Sequence, residues 1–96
     1  MDVRRELVEI DLSSVTTPDE LHLFLARSLD FPDGYGGNWD AFWDAISGLV
    51  EMPRRLRLRG WSRFEARLPR EARLMRECLD EMAAEYPEAA AEVEYG

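Results

Sequence analysis

The chain contains no lysine; all twelve of its basic residues are arginine. It holds one cysteine, Cys78, so no disulfide can close within it. No apolar run approaches the length needed to cross a bilayer. The opening MDVRRELVEI is charged where a secretory signal would be apolar, so the expectation is a soluble, cytoplasmic protein. No repeat, linker or low-complexity tract interrupts the chain, which reads as one domain over residues 1–96. Hydrophobic residues make up 46% of it, enough for one modest core.

Charge of one sign is also missing from whole segments. The formal net charge is −8, from 20 acids and 12 bases. From Ser28 to Pro53 there are five acids and no base; from Arg54 to Arg76 there are nine Arg and two Glu; from Glu77 onward there are seven acids and no base. Such a chain is a poor general nucleic-acid binder, because neutralising phosphates requires bases. It suits a basic protein partner. The nine arginines could be read as an RNA-binding face, but they spread over a strand, a turn and two helices, with Glu residues near enough to pair with several of them.

The apolar periodicities order the chain. Leu7 to Leu12 alternates from Val8 onward and predicts a strand. Thr17-Pro18-Asp19-Glu20 is a capping box. It starts a helix over Pro18 to about Leu29 with Leu21, Phe24, Leu25 and Leu29 inward and the single histidine, His22, toward solvent. Phe31 to Gly37 is a loop. Asn38 caps a second helix that should end near Ser47, with Gly48 as its C′ glycine. Arg55-Leu56-Arg57-Leu58-Arg59 alternates as a strand with one wet face. Trp61 to Arg67 predicts a short helix, Pro69 to about Glu85 a long one with Met75, Cys78, Leu79 and Met82 inward, and Glu92 to Tyr95 a last strand. Glu88 to Ala91 could add a helical turn. Strands alternating with helices predict an α/β fold: two layers, a three-stranded parallel sheet and about four helices, with the arginine face of the sheet left in water.

The stretch PDGYGGNWDAFWDAISG, residues 32–48, carries the chemistry. At about 100° per residue, Trp39, Phe42 and Ile46 share one stripe, and Asp40 and Asp44 stack on the next with Ser47 alongside and Trp43 between. Glycines before a helix can cradle a phosphate, but Asp33, Asp40 and Asp44 oppose that, and the spacing matches no phosphate-loop fingerprint. Two carboxylates do not complete the oxygen shell of a hard cation. Acid–base catalysis needs a cleft and a perturbed pair, not two acids one exposed turn apart. Neither an enzyme, a metal site nor a cofactor is expected. A favourable interaction with the helix dipole accounts for Asp40 better than for Asp44. Two readings stay open: recognition of a basic, concave partner such as a nuclease active site, and a solvated acidic face beside a core tryptophan.

The residues also resemble the barstar family, intracellular inhibitors of barnase-type ribonucleases. The motifs are Leu21-His22, Pro32…Tyr35-Gly36…Asn38-Trp39-Asp40-Ala41-Phe42-Trp43-Asp44, Glu51…Pro53 and Trp61…Phe64-Glu65, and the resemblance runs from about Val8 to Tyr95. It implies a three-stranded parallel sheet with packed helices and a function of capping a basic ribonuclease active site. On it, Asp44 is the central carboxylate that enters the enzyme's phosphate pocket. Asp40, Asn38, Trp43, Ser47 and Gly48 are further contacts, with Tyr35 and Gly36 in the loop and Glu81 as the acidic contact from the long helix. The partner implied is a basic ribonuclease, with no nucleic acid or membrane bound directly and the free protein a monomer. Gly34 stands where the type member has a loop aromatic, and Leu49 where it has a tryptophan. Those departures leave a rival: a barstar-like module for another basic protein, without ribonuclease inhibition.

Overall fold

Alternation in two short segments builds the centre of the molecule. In β1 (Leu7–Asp11) Val8 and Ile10 are buried, and in β2 (Arg55–Arg59) Leu56 and Leu58 are fully buried. The structure, a computed structural model, describes residues 4–96. β3 (Glu92–Tyr95) completes a three-stranded sheet in the order β1-β2-β3, parallel throughout. The chain passes from β1 to β2 through α1 (Pro18–Leu29) and α2 (Trp39–Asp44), and from β2 to β3 through α3 (Trp61–Arg67) and α4 (Pro69–Glu85). The expected two-layer α/β arrangement is therefore present.

The open face of the sheet is a charge ladder. Register places Glu9, Arg57 and Glu94 side by side on the three strands. Arg57 pairs with both Glu9 (3.7 Å) and Glu94 (3.3 Å), and Arg55 reaches Glu94 at 3.2 Å. Exposed pairs of this kind contribute about 0–1 kcal/mol each, yet they keep the bare face from being a bare apolar one. Other arginines of the 54–76 segment also have work inside the chain. Arg67 donates to the carbonyls of Ser13 and Val15, and Arg76 lies over the rings of Trp61 and Tyr95.

The two predicted N-caps, Thr17 and Asn38, form, with one variation. Thr17 accepts from the Glu20 amide at 3.1 Å, but the Glu20 carboxylate bonds the Thr16 amide, one residue outside the usual box. Gly60, between β2 and α3, has φ +71°, and a Cβ there would sit 2.7–2.9 Å from Ser13. Only glycine lets the two segments approach so closely.

One open segment is resolved, and one local expectation fails. The segment between α4 and β3 closes a single turn, with the Ala89 and Ala90 amides on the Tyr86 carbonyl at 3.0 and 2.9 Å, and does not extend into a regular helix. The Arg4 guanidinium collects the carbonyls of Glu88, Ala89 and Ala90 there, and ties them to those of Met52 and Pro53 ahead of β2. The second helix does not stop near Ser47 on a C′ glycine. It widens after Asp44 into a π turn, Ala45–Leu49, closed by the Val50 amide on the Ala45 carbonyl at 3.1 Å. Gly48 lies inside that turn. The wide turn lets Ala45 and Ile46 stay buried while the chain turns toward Met52, which is also in the core.

Candidate protein-binding face

The acidic helix is held from both ends. Asn38, its N-cap, accepts from the Ala41 amide at 2.7 Å. Phe42 is fully buried, Trp39 and Trp43 are half-buried, and Asp40 and Asp44 are exposed. No described residue makes a hydrogen bond or ion pair with either carboxylate. Some other acids are engaged, Asp11 with Ser13, Glu20 with Thr16, Glu9 and Glu94 with the sheet arginines. Ser47 turns inward and donates to the Trp43 carbonyl at 2.6 Å, so its hydroxyl ties the π turn to the helix. Gly48 is exposed, with open space where a side chain would begin. Leu49 is 62% exposed.

The glycine loop packs against α1. Its Tyr35 is half-buried, and the Tyr35 hydroxyl shares a 2.6 Å hydrogen bond with His22 Nδ1. This overturns the expectation that His22 faces solvent: it is 4% exposed. His22 stands three and seven positions before Leu25 and Leu29, at the edge of the inward stripe, and the loop folds back over that edge. Burial pushes the His22 imidazole below its ordinary value, against the opposing pull of Glu71 and Asp19, and pushes the Tyr35 phenol up. Gly36 is exposed, and a Cβ on it would press on Asn38 and Ala41. A groove of about 160 Å³ runs between loop and helix, lined by Pro32, Gly34, Tyr35, Ala41, Asp44 and Leu49.

The long helix adds a second acidic surface. Glu81 is exposed on α4, which packs on α2. The Cys78 thiol, half-buried between them, is pushed up to about 11, first by burial and then by Glu81, Glu77 and Asp40. Glu81 and Asp40 therefore act on one spot. Charge along α4 runs against its dipole, with Arg70, Arg73 and Arg76 in its first half, Glu77, Asp80, Glu81 and Glu85 in its second, and no base in the last turn. Trp43 meets the ring of Tyr86 at 6.5 Å beside this surface.

One functional neighbour escaped the sequence reading. Glu71, in the first turn of α4, is buried and accepts from Trp39 Nε1 at 2.6 Å. The signal was there: residues 71, 75, 78 and 82 share the inward stripe that Met75, Cys78 and Met82 define. Among the described residues no group of three or more His, Cys, Asp or Glu side chains is placed to hold a metal ion, and no helix is long and apolar enough to cross a membrane.

The sequence matches the family described as "Barstar (barnase inhibitor)" over residues 5–95. The chain belongs to the barstar family. Among curated proteins it is similar to the "Putative ribonuclease inhibitor YrdF" of Bacillus subtilis (strain 168), 49% identical over 41 residues. That match takes in 43% of this chain and 45% of the relative, so the chain spans less than half the relative's length. As in the sequence reading of the barstar pattern, Asn38, Asp40, Trp43, Asp44, Ser47 and Gly48 fall on one helix with its terminal turn, and Tyr35 and Gly36 on the loop beside it.

Proposed function

We propose that this barstar-family protein inhibits a basic, barnase-like ribonuclease by covering its active site with α2 and the glycine loop. The inhibition is by occupancy, without chemistry. Asp44 takes the place of a substrate phosphate and accepts charge-assisted hydrogen bonds from arginine and histidine of the enzyme. Asp40 and Glu81 add to the acidic field around it, and Trp43 supplies a half-exposed aromatic contact. Gly36 and Gly48 let the enzyme surface come close to the backbone. Tyr35 contributes through its ring, since its hydroxyl is committed to His22. Such an inhibitor acts as a monomer in the cytoplasm and contacts neither nucleic acid nor membrane directly.

The observation that carries this reading is the pair Asp40 and Asp44: exposed one turn apart on a helix seated by the buried Phe42, and without a partner among the described residues, while Glu9 and Glu94 on the sheet are paired. The test is inhibition of a panel of barnase-like ribonucleases by the purified protein and by Asp44→Ala. Potent inhibition that the substitution weakens supports the reading; equal potency of the two proteins defeats it.

The bare loop at Gly34 favours the rival, a binding module for a different basic protein. Capture of a basic partner that has no ribonuclease activity, with no inhibition anywhere in the panel, would support that module instead.

A further inference from the structure

A six-residue helical segment does not hold its own direction; tertiary contacts must set it. The contacts that set α2 converge on its first residue. Trp39 donates its indole N–H to Glu71 Oε2 at 2.6 Å, and its ring lies 4.5 Å from His22 and 5.2 Å from Phe42. The Cys78 thiol meets its backbone carbonyl at 4.0 Å. The other Glu71 oxygen accepts from Arg70 at 3.0 Å. A carboxylate only 7% exposed pays a desolvation cost that an apolar side chain would not. What it adds is direction. An apolar pair at 39 and 71 would pack over a range of ring rotations, whereas the Glu71 oxygen accepts the indole N–H in one.

We propose that Glu71 is a positioning residue for the acidic face: through Trp39 it fixes the first turn of α2, and so where Asp40 and Asp44 point. Its effect on affinity rests on the reading of α2 as the contact helix; its effect on α2 itself does not. The first turn of α4 favours a negative charge at this position, and the Arg70 guanidinium pairs with it from the solvent side. The chain thereby joins α4, α2, α1 and the loop in one run of contacts, Glu71 to Trp39 to His22 to Tyr35.

Three variants test it: Glu71→Gln, which keeps an acceptor oxygen, Glu71→Ala, and Trp39→Phe, which removes the donor. Two quantities are read for each: inhibition of a susceptible barnase-like ribonuclease, and hydrogen exchange of the Ala41 and Phe42 amides in the free protein. The expected result is that Glu71→Ala and Trp39→Phe each weaken inhibition about tenfold through faster dissociation, and speed exchange at both amides. Glu71→Gln should stay within about threefold of the wild type, and the double variant should be no worse than the poorer single one, because both remove one interaction. A purely structural Glu71 would lower the melting temperature while leaving affinity and exchange at α2 unchanged in the folded protein; that result overturns the proposal. Should Glu71→Ala fail to fold, Trp39→Phe and Glu71→Gln carry the same comparison. If Asp44→Ala inhibits as well as the wild type, the contact-helix reading fails, and amide exchange alone then decides the role of Glu71.

Discussion

Asp44 and His22 show how differently two polar residues can be used within one small domain. Asp44 is exposed and has no partner among the described residues, so its removal should leave the free protein folded and nearly as stable. In a complex with a cationic pocket, Asp44→Ala leaves the enzyme's buried charges without a partner, a loss of about 2–5 kcal/mol in binding. A titration of ribonuclease activity measures it, and a change below about tenfold would mean that Asp44 is not at the centre of the contact. His22 is the opposite case, buried and bonded to Tyr35. Its folded-state value lies below the ordinary 6.5, with Glu71 and Asp19 as the charged groups acting on it and the Tyr35 hydroxyl as its neutral partner. The unfolded chain therefore takes up a proton first as pH falls. The stability that neutral His22 contributes is complete above about pH 6.5 and declines as pH drops from there toward the lower folded value. Urea midpoints compared at pH 7.5 and pH 5.5 should fall on acidification, and His22→Gln should flatten that fall. The spacing of His22 to Leu25 and Leu29 put it at the edge of the buried stripe, but its partner was not legible, because Tyr35 sits on a loop thirteen positions away.

At the scale of elements, what local chemistry controls was readable, and what distant segments control was not. The alternation of Leu56 and Leu58 between arginines, the Thr17 cap and the Asn38 cap each depend on residues a few positions apart, and all three stand in the structure. The fold class followed from them. The end of the acidic helix was misread, since Ser47-Gly48 has the form of an ordinary glycine stop. The choice of a π turn depends instead on keeping Ile46 and Met52 in the same core. The role of Glu71 was hidden for a similar reason: its partner, Trp39, is thirty-two positions away. Gly60 gives a test at this scale. Alanine there would need positive φ and would meet the backbone of Ser13, so Gly60→Ala should cost about 2–3 kcal/mol. Equilibrium denaturation measures it, and a cost under about 0.5 kcal/mol would show that the contact between the Gly60 turn and Ser13 relaxes freely.

For the molecule as a whole, arrangement of charge matters more than its sum. The sheet arginines are consumed by Glu9 and Glu94, and Arg67 and Arg76 by carbonyls and rings. The arginine-rich segment is thus largely engaged within the chain itself, and a titration with single-stranded RNA at low salt should show no saturable binding. The exposed acids of α2 and the second half of α4, of which Glu77 alone pairs with an arginine among the described residues, should instead govern encounter with a basic partner. The association rate should fall at least about fivefold between about 50 and 500 mM salt while the dissociation rate changes little. Stopped-flow mixing with the partner ribonuclease checks this, and a salt-independent rate would mean that the acidic surface does not steer.

The reversed order of charge along α4 has a consequence before any contact is made. With arginines toward one end of a seventeen-residue rod and carboxylates toward the other, the side chains give the helix a lever arm. In the field of a cationic body that lever exerts a torque, turning the acidic end forward while the two molecules are still separated by solvent. A collision that begins in the wrong orientation is thereby corrected during approach.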